Sequence, residues 1–537
     1  MKNQHFAEKP YGTPAAQAIV GNNSQNISSA CAYSLSMTSS CIIDRRRSDS
    51  LSVRVFMTLL LVGLLAGCAV GPDFKRPATP DTAHYTATSF PMQTASAPIF
   101  LGEAQRFSEG MSVRAQWWRG FGSLKLDTLI EQAMVANPTL LSAQATLRQA
   151  QEVYAARAGL ARYPQIDASL SGQRQRFNPG SLGLPEDARE FSLFNAGIGV
   201  HYQLDLAGAN RHALTALAAR IDYQRYQLHG AQLALVANLI TTAVTQAKLA
   251  AQVEAMETIL QVEMEQLKLE QKRKALGAAS PDEVLALRTQ VEQTRATLLP
   301  LRLQFEQSRH LLAVLAGRVP GAKEMPQFTL ADFTLPSELP RVVPSGLVRQ
   351  RPDIQAAEAL LQAANAEYGV AIAKFYPQIN LSANLGSQAL TTAALFGPGT
   401  LIWNFLGQLT QPLFNPGLSA EKRAALAAFD AAAANYQNVV LESLRNVADI
   451  LRALQYDAQQ LVALATADTT AQESMESMRR QYMLGAASYV QLLVATQQMQ
   501  QNKINLIAAQ AQRLLDSVAL YQAIGVESDG DGANFIH

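Results

Sequence analysis

The stretch ARYPQIDASLSGQ, Ala161 to Gln173, returns later in the chain as KFYPQINLSANLGSQ, Lys374 to Gln388. In both copies a Tyr-Pro pair (Tyr163-Pro164 and Tyr376-Pro377) breaks a preceding helical pattern and opens a run of strict alternation. Ile379, Leu381, Ala383 and Leu385 share one face, with Gln378, Asn380, Ser382 and Asn384 on the other. The first copy alternates in the same way, with Ile166, Ala168 and Leu170 opposite Gln165, Asp167 and Ser169. A second alternating run follows each copy. Phe194, Ala196, Ile198, Val200, Tyr202 and Leu204 form one, and Leu401, Trp403, Phe405, Leu409 and Leu413 line a face of the other. The spacing thus predicts two strand pairs, four strands in all.

The copies are parts of a longer duplication. YQLDLAG, ending at Gly208, aligns with QPLFNPG, ending at Gly417. Leu276-Gly277-Ala278-Ala279-Ser280 aligns with Leu484-Gly485-Ala486-Ala487-Ser488. The offset is about 210 residues each time, far beyond the 20–50 of solenoid repeats, so the chain is a duplicated half-protein. Each half runs helix, strand pair, long helical hairpin. Pro138 and Pro352 sit just inside the first helices, where a missing N–H costs nothing. No proline occurs between Pro185 and Pro281 or after Pro416, and the pattern predicts helices from about Ala209 to Ala275 and Leu418 to Met483. At 1.5 Å per residue each is roughly 100 Å long, the length of a helical tube rather than a compact domain. Gly277 and Gly485 fit the left-handed position that stops a helix. Ser280 with Glu283, and Ser488 with Gln491, then fit capping boxes that start the return helices.

At the N-terminal side, Arg45, Arg46, Arg47 and Arg54 precede the short apolar run Leu59–Ala66. That order of positive charge and apolar run is that of a secretory signal, and the run is too short to span a bilayer. Leu65-Ala66-Gly67-Cys68 resembles a bacterial lipobox, which makes Cys68 the lipidated first residue of the mature chain. Ala69 stands where aspartate would signal inner-membrane retention, which implies delivery to the outer membrane. The leader is long, and Met37 would give a more ordinary one. Of three cysteines, Cys31 and Cys41 would leave with it, so the mature chain makes no internal disulfide.

Composition narrows the function classes. Net charge is +1 and only 7% of the 537 residues are aromatic, with no basic stripe for nucleic acid. No later segment reads as a membrane-spanning helix. His5, His84, His201, His212, His229, His310 and His537 lack metal-ligand spacing. GIGVH at Gly197 lies inside a predicted strand and is not a phosphate loop. No nucleophile elbow, Walker loop or paired-cysteine motif is present, so the reading is of a non-enzyme without metal or cofactor beyond the covalent lipid on Cys68. The alternation by itself fits a transmembrane β-barrel and a half-buried soluble sandwich equally. If the strands lie in a membrane, four are too few to close a barrel, so several chains must share one.

CAVGPDFKRPATP after the lipobox, WWRGFGSLKLDTLIEQAMVANPTLLSAQATLRQAQ, and LPSELPRVVPSGLVRQRPDIQAAEALLQAANAEYGVAIAKFYPQINLSANLG resemble the TolC-like outer membrane factors, in their lipoprotein (NodT-like) branch. The likeness runs from Cys68 to about Gly525. It implies a mainly α chain with membrane β: a homotrimer whose strands form a twelve-stranded outer-membrane barrel above a long periplasmic α-helical barrel. It also implies a passive efflux channel for drugs or other small toxic compounds, completed by a periplasmic adaptor (membrane fusion protein) and an inner-membrane RND-type pump. The alternatives are a type I protein-secretion duct and a lipid-anchored coiled-coil scaffold without a pore. Under the resemblance, Leu276, Gly277, Ala278, Ser280, Leu484, Gly485, Ala486 and Ser488 are the tips that meet the adaptor and pump. Trp117 and Trp118 are expected to pack where the N-terminal tether meets the tunnel. Relatives carry aspartates at the entrance where this chain has Gln491 and Val494. Asp282 and Glu283 are the nearest acidic substitutes, so only mild cation selectivity is expected. The domain reading is 1–67 leader, 68–115 lipidated tether, 116–316 first repeat, 317–345 Pro-rich linker along the outside of the tube, 346–525 second repeat and 526–537 tail.

Overall fold

The computed structural model describes residues 70–525, apart from 79–84, 87–89, 110, 112, 179, 181–182, 184, 186, 323 and 342. The leader, Cys68 and the tail from 526 lie outside the described residues. The described residues belong to one compact unit, Gly67–His537.

Each half begins with helices set by local chemistry. Helix α1 (Leu124–Ala136) ends at Asn137, whose side chain accepts hydrogen bonds from the Thr139 and Leu140 N–H groups and starts α2 (Pro138–Arg162). Pro164 then opens β2 (Gln165–Phe177), which pairs antiparallel with β3 (Arg189–Leu204). In the second half α6 (Pro352–Ala373) leads into β5 (Gln378–Ala389) and β6 (Leu401–Thr410). The four strands form one antiparallel sheet in the order β2-β3-β5-β6, so the central β3–β5 pair joins the two halves. Gly197 faces Gly386 across that pair, and a Cβ on Gly386 would stand 2.6 Å from the Ala196 carbonyl oxygen. The backbones there approach too closely for a side chain. Every residue of β2 and of β6 is exposed, and each strand leaves one edge unpaired in the single chain. Leu413, expected on the apolar face of the last strand, lies beyond it. The strand ends at Thr410, because Pro412 has no N–H to carry the ladder on.

The long helices are α3 (Ala209–Ala275, 67 residues) and α7 (Pro416–Met483, 68 residues), returning as α4 (Pro281–Leu315) and α8 (Tyr489–Ile524). Helix α7 starts two residues before the sequence expectation, with Pro416 in its first turn and the Asn415 side chain capping Gly417 N–H. Helix α3 packs on α2, α4, α6 and α8, and α7 packs on α6 and α8. The residues α6 buries are mostly small, with Ala356, Ala359, Ala363 and Ala366 beside Ile354 and Leu361, which lets it sit closely against both long helices. One window of α3 is apolar enough to span a bilayer by composition, unlike the sequence expectation. It is 67% buried, so that apolarity serves packing.

The main core is a belt across the middle of α3. Leu239, Ile240 and Val244 meet Leu126 and Ile130 of α1 and Leu514 and Leu520 of α8, all at most marginally exposed. Each such side chain contributes about 1.5–3 kcal/mol by leaving water. Trp117 and Trp118 belong to this belt, and Trp117 stacks on Tyr521 with ring centroids 5.1 Å apart. The linker does more than skirt the helices. Phe328, Phe333 and Leu339 bury in the same core, and β4 (Glu338–Arg341) pairs parallel with β1 (Arg106–Glu109) of the N-terminal tether. A short helix, α5 (Pro344–Gln350), completes it. Burying these large apolar side chains outweighs the proline-rich backbone's lack of regular structure.

The tether is held to α8 by Arg513, fully buried, whose Nη2 donates to the Glu103 carbonyl (3.0 Å), Gln105 Oε1 (3.0 Å) and Thr94 Oγ1 (3.2 Å). One turn on, burial pushes the Asp516 carboxyl up to about 7. The Gln512 amide that donates to it opposes the rise, and Asp457 on α7 adds to it. The folded chain therefore keeps a proton that an unfolded aspartate, near 3.8, has released. Stability should fall as pH rises between about 4 and 7, by at most ~1.4 kcal/mol per pH unit. Thermal midpoints at about pH 5 and about pH 8 should differ more for the native chain than for Asp516→Asn. Equal differences would discard this account.

Candidate functional site

The two hairpin tips are built alike. At the end of α3, Gly277 takes φ 74°; its N–H bonds the Lys274 carbonyl at 2.9 Å and that of Ala278 bonds Arg273 at 2.8 Å. At the end of α7, Gly485 also takes φ 74°, with matching bonds from Gly485 to Tyr482 and from Ala486 to Gln481. These paired bonds satisfy carbonyls that a helix end leaves open, and they require a left-handed residue at the turn. No atom lies within 4 Å of a Cβ placed on either glycine, so the demand is one of backbone and not of space. Both capping boxes close. Ser280 Oγ accepts from Glu283 N while Glu283 Oε2 accepts from Ser280 N (3.0 Å), and Ser488 and Gln491 repeat the exchange (2.8 Å from Ser488 N).

This packing leaves a repeated apolar point in water. Leu276 and Leu484 are each 84% exposed, with Ala278 and Ala486 beside them, also exposed. Of the four entrance candidates, Glu283 and Gln491 are engaged in capping. Asp282 is exposed on the first turn of α4 and Val494 on the second turn of α8.

The structure also brings the two tips together through residues that the sequence reading missed. Arg273 Nη1 donates to Glu270 Oε1 (2.8 Å) on its own helix and to the Tyr482 hydroxyl (3.2 Å) on α7. The Tyr482 hydroxyl in turn donates to Glu270 Oε1 at 3.4 Å. Burial pushes the Tyr482 phenol up, which keeps it a neutral donor, and the Tyr482 bond pushes Arg273 up as well. Tyr482 meets Tyr489 edge to face, with centroids 5.7 Å apart, and Tyr489 is buried. One signal for this tie was available. In an otherwise matched pair of tips, Tyr482 and Tyr489 stand where the first half has Lys274 and Pro281. Among the described residues, no group of three or more His, Cys, Asp or Glu side chains could hold a metal ion.

Comparisons with known proteins fit this architecture. A family model described as outer membrane efflux protein matches residues 129–318 and 343–526. The toluene efflux pump outer membrane protein TtgC of Pseudomonas putida is 30% identical over 469 residues, 86% of this chain and 93% of its own. The cation efflux system protein CusC of Escherichia coli is 26% identical over 468 residues, 86% of this chain and 96% of its own. The solved structure of the outer-membrane channel OprN superposes with a TM-score of 0.76 at 25% identity, covering 86% of this chain and 99% of that one.

Because the tip glycines face open space, Gly277→Val and Gly485→Val should cost only about 1–2 kcal/mol each. The loss should stay local. Amide hydrogen exchange should quicken at residues 276–280 or 484–488 while the thermal midpoint moves by a few degrees at most. A collapse of the midpoint would mean that the tips anchor the whole fold.

Proposed function

The chain belongs to the outer membrane efflux protein family, and on that premise we propose that three copies close one conduit, meeting an adaptor and an inner-membrane pump at the hairpin tips. It is an outer membrane efflux channel with a periplasmic tunnel. The observation that carries the finer reading is the open sheet. Four strands with two free edges cannot rest in hydrocarbon, where each unpaired backbone group costs several kcal/mol. Three chains supply twelve strands and leave no edge. Roughly 100 Å of α3 and α7 then extends from that barrel into the periplasm.

Three further assignments follow. Cys68 carries the lipid; Val70, two residues on, bonds through its N–H to the Ala207 carbonyl at 3.1 Å, where β3 gives way to α3. The barrel shares the work of anchoring with the lipid. Exposed Leu276 and Leu484, each beside its left-handed glycine, form the apolar points that the adaptor covers. The Arg273–Tyr482–Glu270 tie holds the two tips of one protomer in step. The conduit acts without chemistry or cofactor. Gln491 and Val494 at its entrance leave it only mildly cation-selective, with Asp282 the nearest free carboxylate. For cargo, the relative with the higher identity is named for toluene efflux, which favours drugs and other small organic toxins over metal cations.

Two measurements test this reading. Mass spectrometry should find a diacylglyceryl group on Cys68, and Cys68→Ala should accumulate as unprocessed precursor. In cells, Gly277→Val with Gly485→Val should leave the trimer at normal levels yet weaken crosslinking to the adaptor and restore drug susceptibility. Full efflux by that double variant would show that the tips are not where the adaptor binds.

A further inference from the structure

Above the tips, α3, α7 and α8 enclose a groove of about 560 Å³, within the size range that takes drug-sized molecules. Ile259 and Val262 of α3, Met475 of α7, and Leu492, Met499 and Ile507 of α8 make its walls apolar. Methionines there add soft, adaptable surface. The groove also borders Glu263, which is only 2% exposed.

Glu263 is bonded on one side only. Its Oε1 accepts from Gln290 Nε2 of α4 (3.1 Å) and from Gln500 Nε2 of α8 (2.8 Å). Gln497 Nε2 donates to Gln290 Oε1 at 2.5 Å, which keeps that amide from turning away. Oε2 is buried and has no partner. A carboxylate oxygen left this way is costly, and a donor carrying positive charge is what best offsets the cost. Arg479 and Lys503 line the same groove, but neither forms an ion pair with Glu263. The network thus holds a negative charge fixed in place in the wall of an apolar trough.

We propose that this groove is a binding site for small amphipathic organic cations, whose protonated nitrogen lies over the buried Glu263 carboxylate while the apolar body lies against Met475, Leu492 and Met499. The site lies in the wall of the helical hairpins, away from the tips, and does not depend on which compounds the conduit carries.

The test uses the purified full-length protein in neutral detergent, with rhodamine 6G as a fluorescent amphipathic cation and protein-free micelles as the blank. Anisotropy should saturate. Glu263→Gln, which can still accept both glutamine amides, should weaken binding about tenfold. Met499→Trp should block it by filling the trough, and an anionic sulfonated rhodamine should not bind. Size-exclusion elution identical to the native protein shows that each variant is assembled. Equal affinity in native and Glu263→Gln protein overturns the proposal. So does a native protein that binds nothing while Lys503→Ala binds, since Lys503 would then fill the site itself. Absence of saturable binding in both overturns it too, and would mean that a neighbouring copy covers the groove.

Discussion

In the hydrocarbon of a membrane, an unpaired backbone N–H or C=O costs several kcal/mol, and on the proposed reading of the sheet this constraint shapes the strand region. The sheet β2-β3-β5-β6 gives each interior strand a partner on both sides, β3 over Phe194–His201, and leaves one edge of β2 and one of β6 open. Its central seam is β3–β5, a strand from each repeat, so neither half can build the sheet alone. Duplication therefore did more than double a length of chain. It produced two hairpins that pair through Gly197 and Gly386, where only backbones free of side chains can approach so closely. Large side chains of β6, among them Trp403 and Phe405, are exposed, and on the proposed reading they would face lipid.

Below the sheet, the stability problem changes from backbone pairing to packing. Helices as long as α3 and α7 cannot all be covered by one compact core. The chain concentrates its burial in the belt at mid-helix, where the tether, the linker and α1 wrap α3 and α8. Toward the tips, hydrogen-bonded side chains join the apolar contacts. The Glu263 network joins α3, α4 and α8, and the Arg273 tie joins α3 to α7. Polar contacts of this kind contribute little net stability each, but they fix the register of neighbouring helices. A rigid belt with hydrogen-bonded ends keeps helices of this length in register.

The tips show how a duplicated chain acquires direction. The Leu-Gly-Ala-Ala-Ser turn is kept in both halves because its left-handed glycine and capping serine solve the same backbone problem twice. Around it the halves differ. Only the second carries the Tyr482–Tyr489 pair, and only the first carries Arg273 and Glu270. The interaction between the tips is thus made of the residues in which the repeats diverge.

What the sequence determined by itself was everything local. Alternation marked the strands, prolines and glycines marked the helix ends, and the capping boxes closed as their spacing requires, since each depends on residues within a few positions of one another. The tertiary structure decided what depends on distant partners. It placed Phe328, Phe333 and Leu339 of the linker in the core, paired β1 with β4 across more than half the described chain, and buried Arg513 under the tether. It also carried α4 straight past Pro300, a residue that local propensity would make a helix end, because the contact with α3 outweighs one lost backbone bond. Arg273 reads in the sequence as one more cation at a helix C-terminus, where cations are commonly found. Only the fold brings a tyrosine 209 positions away to within 3.2 Å of it, and no periodicity within either helix could have announced that meeting.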